Sequence, residues 1–154
     1  DIIESDSASD SDKSFYLKLL VHFVGDLHQP LHIGRYEDRG ANRIYVKWFG
    51  RNSNLHRVWD SEMINSHNMS YSELALNLPN PDFLILTEKA KDFERNDILN
   101  WVDEIHEYTN KIYRDVSIDD KLGYEYQYKN FGTVKDLLLI GGIRLSKILN
   151  YLFD

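Results

Sequence analysis

Five residues within one short stretch of the chain have the types and spacing of metal ligands: His22, Asp26, His32, His56 and Asp60. In His22-Phe-Val-Gly-Asp26 and again in His56-Arg-Val-Trp-Asp60, a histidine is followed four residues later by an aspartate. On a helix that spacing puts imidazole and carboxylate on one face, so two such pairs can converge with His32 on a single centre. Zinc accepts neutral imidazole and carboxylate oxygen, and a catalytic zinc takes about three protein ligands with a position left for water. His32, His56 and Asp60 would supply one such set. Asp26, with two oxygens, could bridge two ions, and His22 could complete the shell of one of them. An isolated His-x-x-x-Asp pair is more often a surface ion pair worth a few tenths of a kcal/mol. Burial argues the other way: His22 lies in the apolar run Leu19 to Val24, so it and Asp26 are expected to point inward, where an acid requires a cation. Manganese or nickel would accept similar shells.

The elements that must hold these residues are mainly helical. An apolar pattern from about Ser14 (Phe15, Leu19, Leu20, Phe23, Val24, Leu27) predicts a helix ending before Pro30, with Ser11 or Asp10 as its cap. Residues Asp1 to Lys13, rich in Ser and Asp, read as a poorly ordered lead-in, leaving 14–154 as the folded part. Arg43 to Phe49 is the one convincing β signal, a short strand or one arm of a hairpin. Asn54 can cap a helix from Leu55 to about Ser66, and Tyr71 to Leu78 reads as a shorter one before Pro79 and Pro81 break the chain. Apolar residues at intervals of three and four predict long helices over Asp92–Asp115 and Thr133–Phe153, the second with Gly141-Gly142 allowing another helix close approach.

The remaining candidates have plainer readings. His28, off the His22–Asp26 face, reads with His67 and His106 as a surface or supporting histidine. Trp48, Trp59 and Trp101 fall in apolar patterns and read as core anchors, and Asn42 as a turn residue. Arg35, Arg39, Arg43, Lys47, Arg51 and Arg57 gather near the metal candidates, either as a solvated face or as receivers of phosphate.

Composition narrows the function classes. A formal charge of −7 argues against a broad basic surface for duplex DNA, although bound divalent ions would let an acidic protein grip a phosphate locally. The absence of cysteine removes disulfides and thiolate chemistry, so a zinc site must use His, Asp or Glu. No apolar run approaches the roughly 20 residues that span a bilayer.

Leu20-Val-His-Phe-Val-Gly-Asp-Leu-His-Gln-Pro-Leu-His-Ile-Gly34, followed by Gly40-Ala-Asn42 and Asn54-Leu-His-Arg-Val-Trp-Asp60, resembles the metal-binding signature of the S1/P1 nucleases, whose fold is shared with bacterial zinc-dependent phospholipase C. The resemblance implies a mainly α fold with one short β-hairpin and a trinuclear zinc enzyme. Its substrates would be single-stranded RNA and DNA and 3′-nucleotides, its products 5′-phosphorylated, and metal-activated water its nucleophile. By position it makes His22 a ligand of one ion of the close pair, Asp26 the bridge of that pair, and His32, His56 and Asp60 the ligands of the third ion. It also implies a secreted or periplasmic setting. Ala41 stands where the family usually has a second glycine. The family's upstream ligands, a terminal tryptophan among them, have no counterpart between Asp1 and Phe15, so the chain is expected to be the C-terminal part of the domain. On that expectation it carries about one complete zinc site and little activity by itself. The alternatives are a phospholipase C-like hydrolase, disfavoured because the last ligand is Asp60 and not Glu, and a non-catalytic helical domain with structural zinc or a buried ion-pair network.

Overall fold

The computed structural model describes residues 2–78 and 92–153. Helix α1 (Asp10–Leu27) begins four residues before Ser14, because the Ser9 hydroxyl accepts the Asp12 amide and supplies the cap that the apolar pattern alone does not reveal. It ends at a His28 cap and is followed by a 3-10 turn over Pro30–Ile33. Strands β1 (Tyr45–Trp48) and β2 (Arg51–Asn54) form the expected hairpin, with Tyr45 opposite Asn54 and Trp48 opposite Arg51. A third strand, β3 (Lys121–Leu122), joins β1 in parallel. Two residues are too short a run to produce a sequence signal.

Asn54 caps the next helical segment through the Arg57 amide, as expected. The segment is composite: α2 (Leu55–Arg57), a π turn over Val58–Glu62 and α3 (Met63–Asn65). Helix α4 (Tyr71–Leu76) starts from a Ser70–Glu73 capping box, while the Pro79 and Pro81 break lies outside the described residues. Helix α5 (Asp97–Asp115) starts five residues after Asp92, and α6 (Tyr124–Phe153) starts well before Thr133. In α6 packing overrides pattern: Asn130 and Phe131 are buried in a turn whose sequence, rich in Tyr and polar residues, lacks a clear apolar stripe.

The core has two parts. The larger joins Leu31, Val46, Trp48, Leu55, Trp59, Ile112, Tyr113 and Val134, linking the hairpin and π turn to α5 and α6. The smaller places Val24 of α1 against Trp101 and Ile148. All three tryptophans are buried, as core anchors. Thr109 donates to the Pro30 carbonyl at 2.6 Å, fixing the turn that carries His32 to α5. No helix among the described residues is long and apolar enough to cross a membrane.

Candidate metal centre

His32 is delivered by the 3-10 turn, His56 by α2 and Asp60 by the π turn. One ligand atom from each lies within 4.8 Å of the others, a separation that one ion could span. The His32 and His56 rings stack at 5.1 Å and 11° between planes. A π turn spaces residues differently from an α-helix, and such turns recur at functional sites. Here it carries Asp60 to 3.1 Å from His32 Nε2.

The supports fix ring orientation. His56 Nδ1 lies 2.7 Å from the Gly40 carbonyl, which can only accept, so Nδ1 carries the proton and Nε2 is left as a free electron pair. A ligating histidine characteristically has its second nitrogen held in this way. The approach of Gly40 requires its residue type: φ is +62°, and a Cβ there would meet the Leu31 carbonyl oxygen at 2.2 Å. Ala41 follows with φ 64°, a left-handed conformation that costs an alanine about 1 to 2 kcal/mol. Alanine at this position therefore strains the backbone while the Gly40 carbonyl still meets His56. The loop is closed by Asp38, whose carboxylate accepts the Ala41 amide at 2.6 Å and the Tyr113 hydroxyl at 2.8 Å. Burial pushes the Tyr113 phenol up to about 12, and the Asp38 carboxylate acts in the same sense. Asn42 donates to the Arg39 carbonyl, the turn role expected of it. Sequence reasoning missed the Asp38–Tyr113 link because the two residues are 75 apart in the chain and neither carries a local signal.

Asp26 adjoins the group, with Oδ1 3.2 Å from His32 Nδ1, and its Oδ2 meets His22 Nε2 at 3.2 Å. His32 thus lies between two carboxylates, and the five candidate residues form a connected array. The expectation that His22 and Asp26 point inward is corrected: their side chains are 64% and 37% exposed, because no described element covers that face of α1. The burial argument for a cation consequently fails at His22.

A second correction concerns His28. It is buried, with Nδ1 2.7 Å from the Val24 carbonyl and Nε2 3.1 Å from Arg144 Nη1. Arg144 is itself buried, pairs with Glu104 and sits 4.8 Å above the Trp101 ring. Gly141 admits His28: a Cβ there would lie 3.0 Å from its ring. His67 and His106 are at the surface, His67 stacked on Phe131 at 3.9 Å.

A helical domain that presents a His-His-Asp group able to hold a metal beside a His–Asp pair defines a class of metal-dependent proteins. Within that class the chain belongs to the S1/P1 nuclease family, which it matches over residues 1–154. It is 35% identical to Endonuclease 5 of Arabidopsis thaliana over 154 residues, covering 90% of this chain and 51% of that protein. It is 37% identical to Nuclease S1 of Aspergillus oryzae over 90 residues, 58% of this chain and 29% of that protein. Nuclease P1 of Penicillium citrinum is 39% identical over 75 residues, 46% of this chain and 27% of its own. The chain spans about half the length of the Arabidopsis relatives it matches.

Proposed function

We propose that this chain is the C-terminal part of a zinc-dependent phosphodiesterase and 3′-nucleotidase that hydrolyses single-stranded RNA and DNA to 5′-phosphorylated products. The observation that carries the reading is the His32–His56–Asp60 group, with ligand atoms within 4.8 Å of one another, in a chain of nuclease lineage. The donor set suits zinc: two imidazoles and one carboxylate, with no thiolate to close the shell. His56 offers Nε2 while Gly40 holds its Nδ1 proton. Asp26 accepts from His32 Nδ1, which aims Nε2 of that ring toward Asp60. When bound, zinc supplies Lewis acidity toward a phosphate ester and acidifies water at an open position. Asp26 and His22 are placed to hold a second ion jointly with residues from another part of the domain. That part would cover the exposed apolar side chains Phe15, Val21 and Phe23 of α1. By itself the chain is expected to be inactive, and the complete protein to be secreted or periplasmic.

Two second readings have an observation each. An apolar cleft of about 380 Å³, lined by Val21, Val24, Val134 and Leu137 and touching Asp26, His32 and Asp60, favours a phospholipid substrate. The His32 ring between two carboxylates favours a metal-free ion-pair network. Elemental analysis of the chain with its His56→Ala and Asp60→Ala variants tests the centre. We expect about one zinc per chain, lost in both variants. Absence of zinc at saturating supply would sink the centre as a self-sufficient site. Hydrolysis of single-stranded oligonucleotides against liposomes, with the remainder of the domain restored, then separates the substrates.

A further inference from the structure

We propose that helix α5 is the scaffold of the metal centre, with the hydroxyls of Tyr113 and Thr109 as positioning groups that aim His56 and His32 at a common ion. The inference rests on the metal-dependent reading and deepens it by naming residues outside the five candidate ligands. Thr109 and Tyr113 lie four residues apart in α5, so they share one face of that helix, and both are buried. Each hydroxyl reaches a different one of the segments that place the histidines. Thr109 donates at 2.6 Å to the Pro30 carbonyl, in the turn that carries His32. Tyr113 donates at 2.8 Å to the Asp38 carboxylate, in the loop that backs His56.

From Tyr113 to His56 the connection runs through a single peptide unit. The Asp38 oxygen that accepts the phenol also accepts the Ala41 amide at 2.6 Å. That N–H shares its peptide plane with the Gly40 carbonyl, which faces His56 Nδ1 at 2.7 Å. Holding one end of a planar unit fixes the direction of the other, so Asp38 aims the carbonyl and Tyr113 aims Asp38. The phenol is placed in turn by the Arg35 amide, which donates to it at 3.1 Å, and burial pushes it up to about 12, so it stays a protonated donor at neutral pH. Gly34 brings the two supports together: a Cβ there would lie 2.8 Å from both the Gly40 Cα and the Tyr113 hydroxyl oxygen.

The chemical consequence is a tautomer. An imidazole that ligates through Nε2 must carry its proton on Nδ1, and the partner of Nδ1 decides which nitrogen keeps it. Here that partner is a carbonyl whose direction depends on Tyr113, although the phenol acts on His56 only through Asp38 and the peptide. Asp38 is needed as an acceptor and not as a charge, because one of its oxygens takes both bonds. Loss of the brace would release the peptide plane, and His56 would then share its proton between the two nitrogens.

The test reads the His56 tautomer by nitrogen-15 NMR of the metal-free chain at mildly alkaline pH, and zinc affinity by competition with a chromophoric chelator. The parent is expected to hold the proton on Nδ1. Tyr113→Phe and Asp38→Ala should each move it toward Nε2 and weaken zinc roughly tenfold, the lower end of what outer partners of a ligating histidine contribute. Asp38→Asn keeps the accepting oxygen and should restore the parental tautomer. Thr109→Val should weaken zinc by a similar factor through His32 while leaving the His56 tautomer in place. Ile112→Val, a buried neighbour of Tyr113 on α5, is the control: it costs stability and should leave the tautomer alone. An unshifted tautomer in either Tyr113→Phe or Asp38→Ala would overturn the brace, as would an equal shift in Ile112→Val or a parent protonated on Nε2. Parental zinc affinity in Thr109→Val would overturn the role of α5 at His32. A parent that takes up no zinc would sink the metal-dependent reading, while the tautomer comparison would still decide the brace.

Discussion

His28 and His32 lie four residues apart in one segment, Asp26-Leu-His-Gln-Pro-Leu-His32, and do opposite things. His28 is enclosed, donating Nδ1–H to the Val24 carbonyl and facing the cation of Arg144 with Nε2. With one nitrogen committed to a carbonyl and the other to a guanidinium, it is held neutral and has no electron pair to offer a metal. His32 sits at the edge of the fold between the carboxylates of Asp26 and Asp60, an arrangement in which three side chains from separate elements can share one ion. The charge each imidazole faces, more than its place in the motif, separates a structural histidine from a candidate ligand.

The most damaging way to probe the structural half of this contrast is Arg144→Met, which roughly keeps the volume and removes the cation. The ion pair with Glu104, the bond to His28 and the contact with Trp101 all go. Removing one partner of a fully buried pair costs about 3 to 5 kcal/mol, and the partial exposure of Glu104 lowers the expectation to about 2 to 3 kcal/mol. Urea unfolding measures it. A loss under about 0.5 kcal/mol would mean that the Arg144 network does not hold α1, α5 and α6 together.

The contrast also marks where the sequence was legible. Residue type and spacing singled out His32, His56 and Asp60, which the fold brings within reach of one ion, since side chains delivered by consecutive short elements leave a local pattern. Helix identity, the hairpin and the Asn54 cap were legible for the same reason. The His28–Arg144 contact joins residues 116 apart, and the β1–β3 pairing likewise depends on what the chain meets after folding, so neither leaves a periodicity. His22 failed differently. Apolar neighbours in sequence implied burial, but in α1 His22 and the two residues flanking it in the chain, Val21 and Phe23, remain exposed.

A finer probe of His28's enclosure is the glycine pair in α6. At Gly142 an added Cβ meets nothing within 4 Å, so Gly142→Ala gains helix propensity and is expected to stabilise by about 0.5 to 1 kcal/mol. At Gly141 the same methyl would lie 3.0 Å from the His28 ring, which Val24 and Arg144 hold in place. Gly141→Ala should therefore lose more than its propensity gain and come out destabilised by about 1 kcal/mol. Opposite signs for adjacent glycines, measured by thermal unfolding, sharpen the picture of a tightly held His28. Equal stabilisation by both would show that its ring can yield.

The smallest expected effect belongs to His22. Its contact with Asp26 is an i,i+4 pair with a side chain 64% exposed, where solvent screening and side-chain entropy offset most of the Coulomb attraction. His22→Ala should change the unfolding free energy of this chain by no more than about 0.5 kcal/mol. The mutation should also leave zinc uptake at the His32–His56–Asp60 group unchanged, because among the described residues His22 pairs with Asp26 and has no hydrogen bond, ion pair or ring contact with any of those three side chains. A larger stability loss, or loss of that zinc, would place His22 inside the centre even without the rest of the domain. The expected silence, followed by sensitivity to the same mutation once the remainder is restored, would assign His22 to an ion that the two parts of the domain hold jointly.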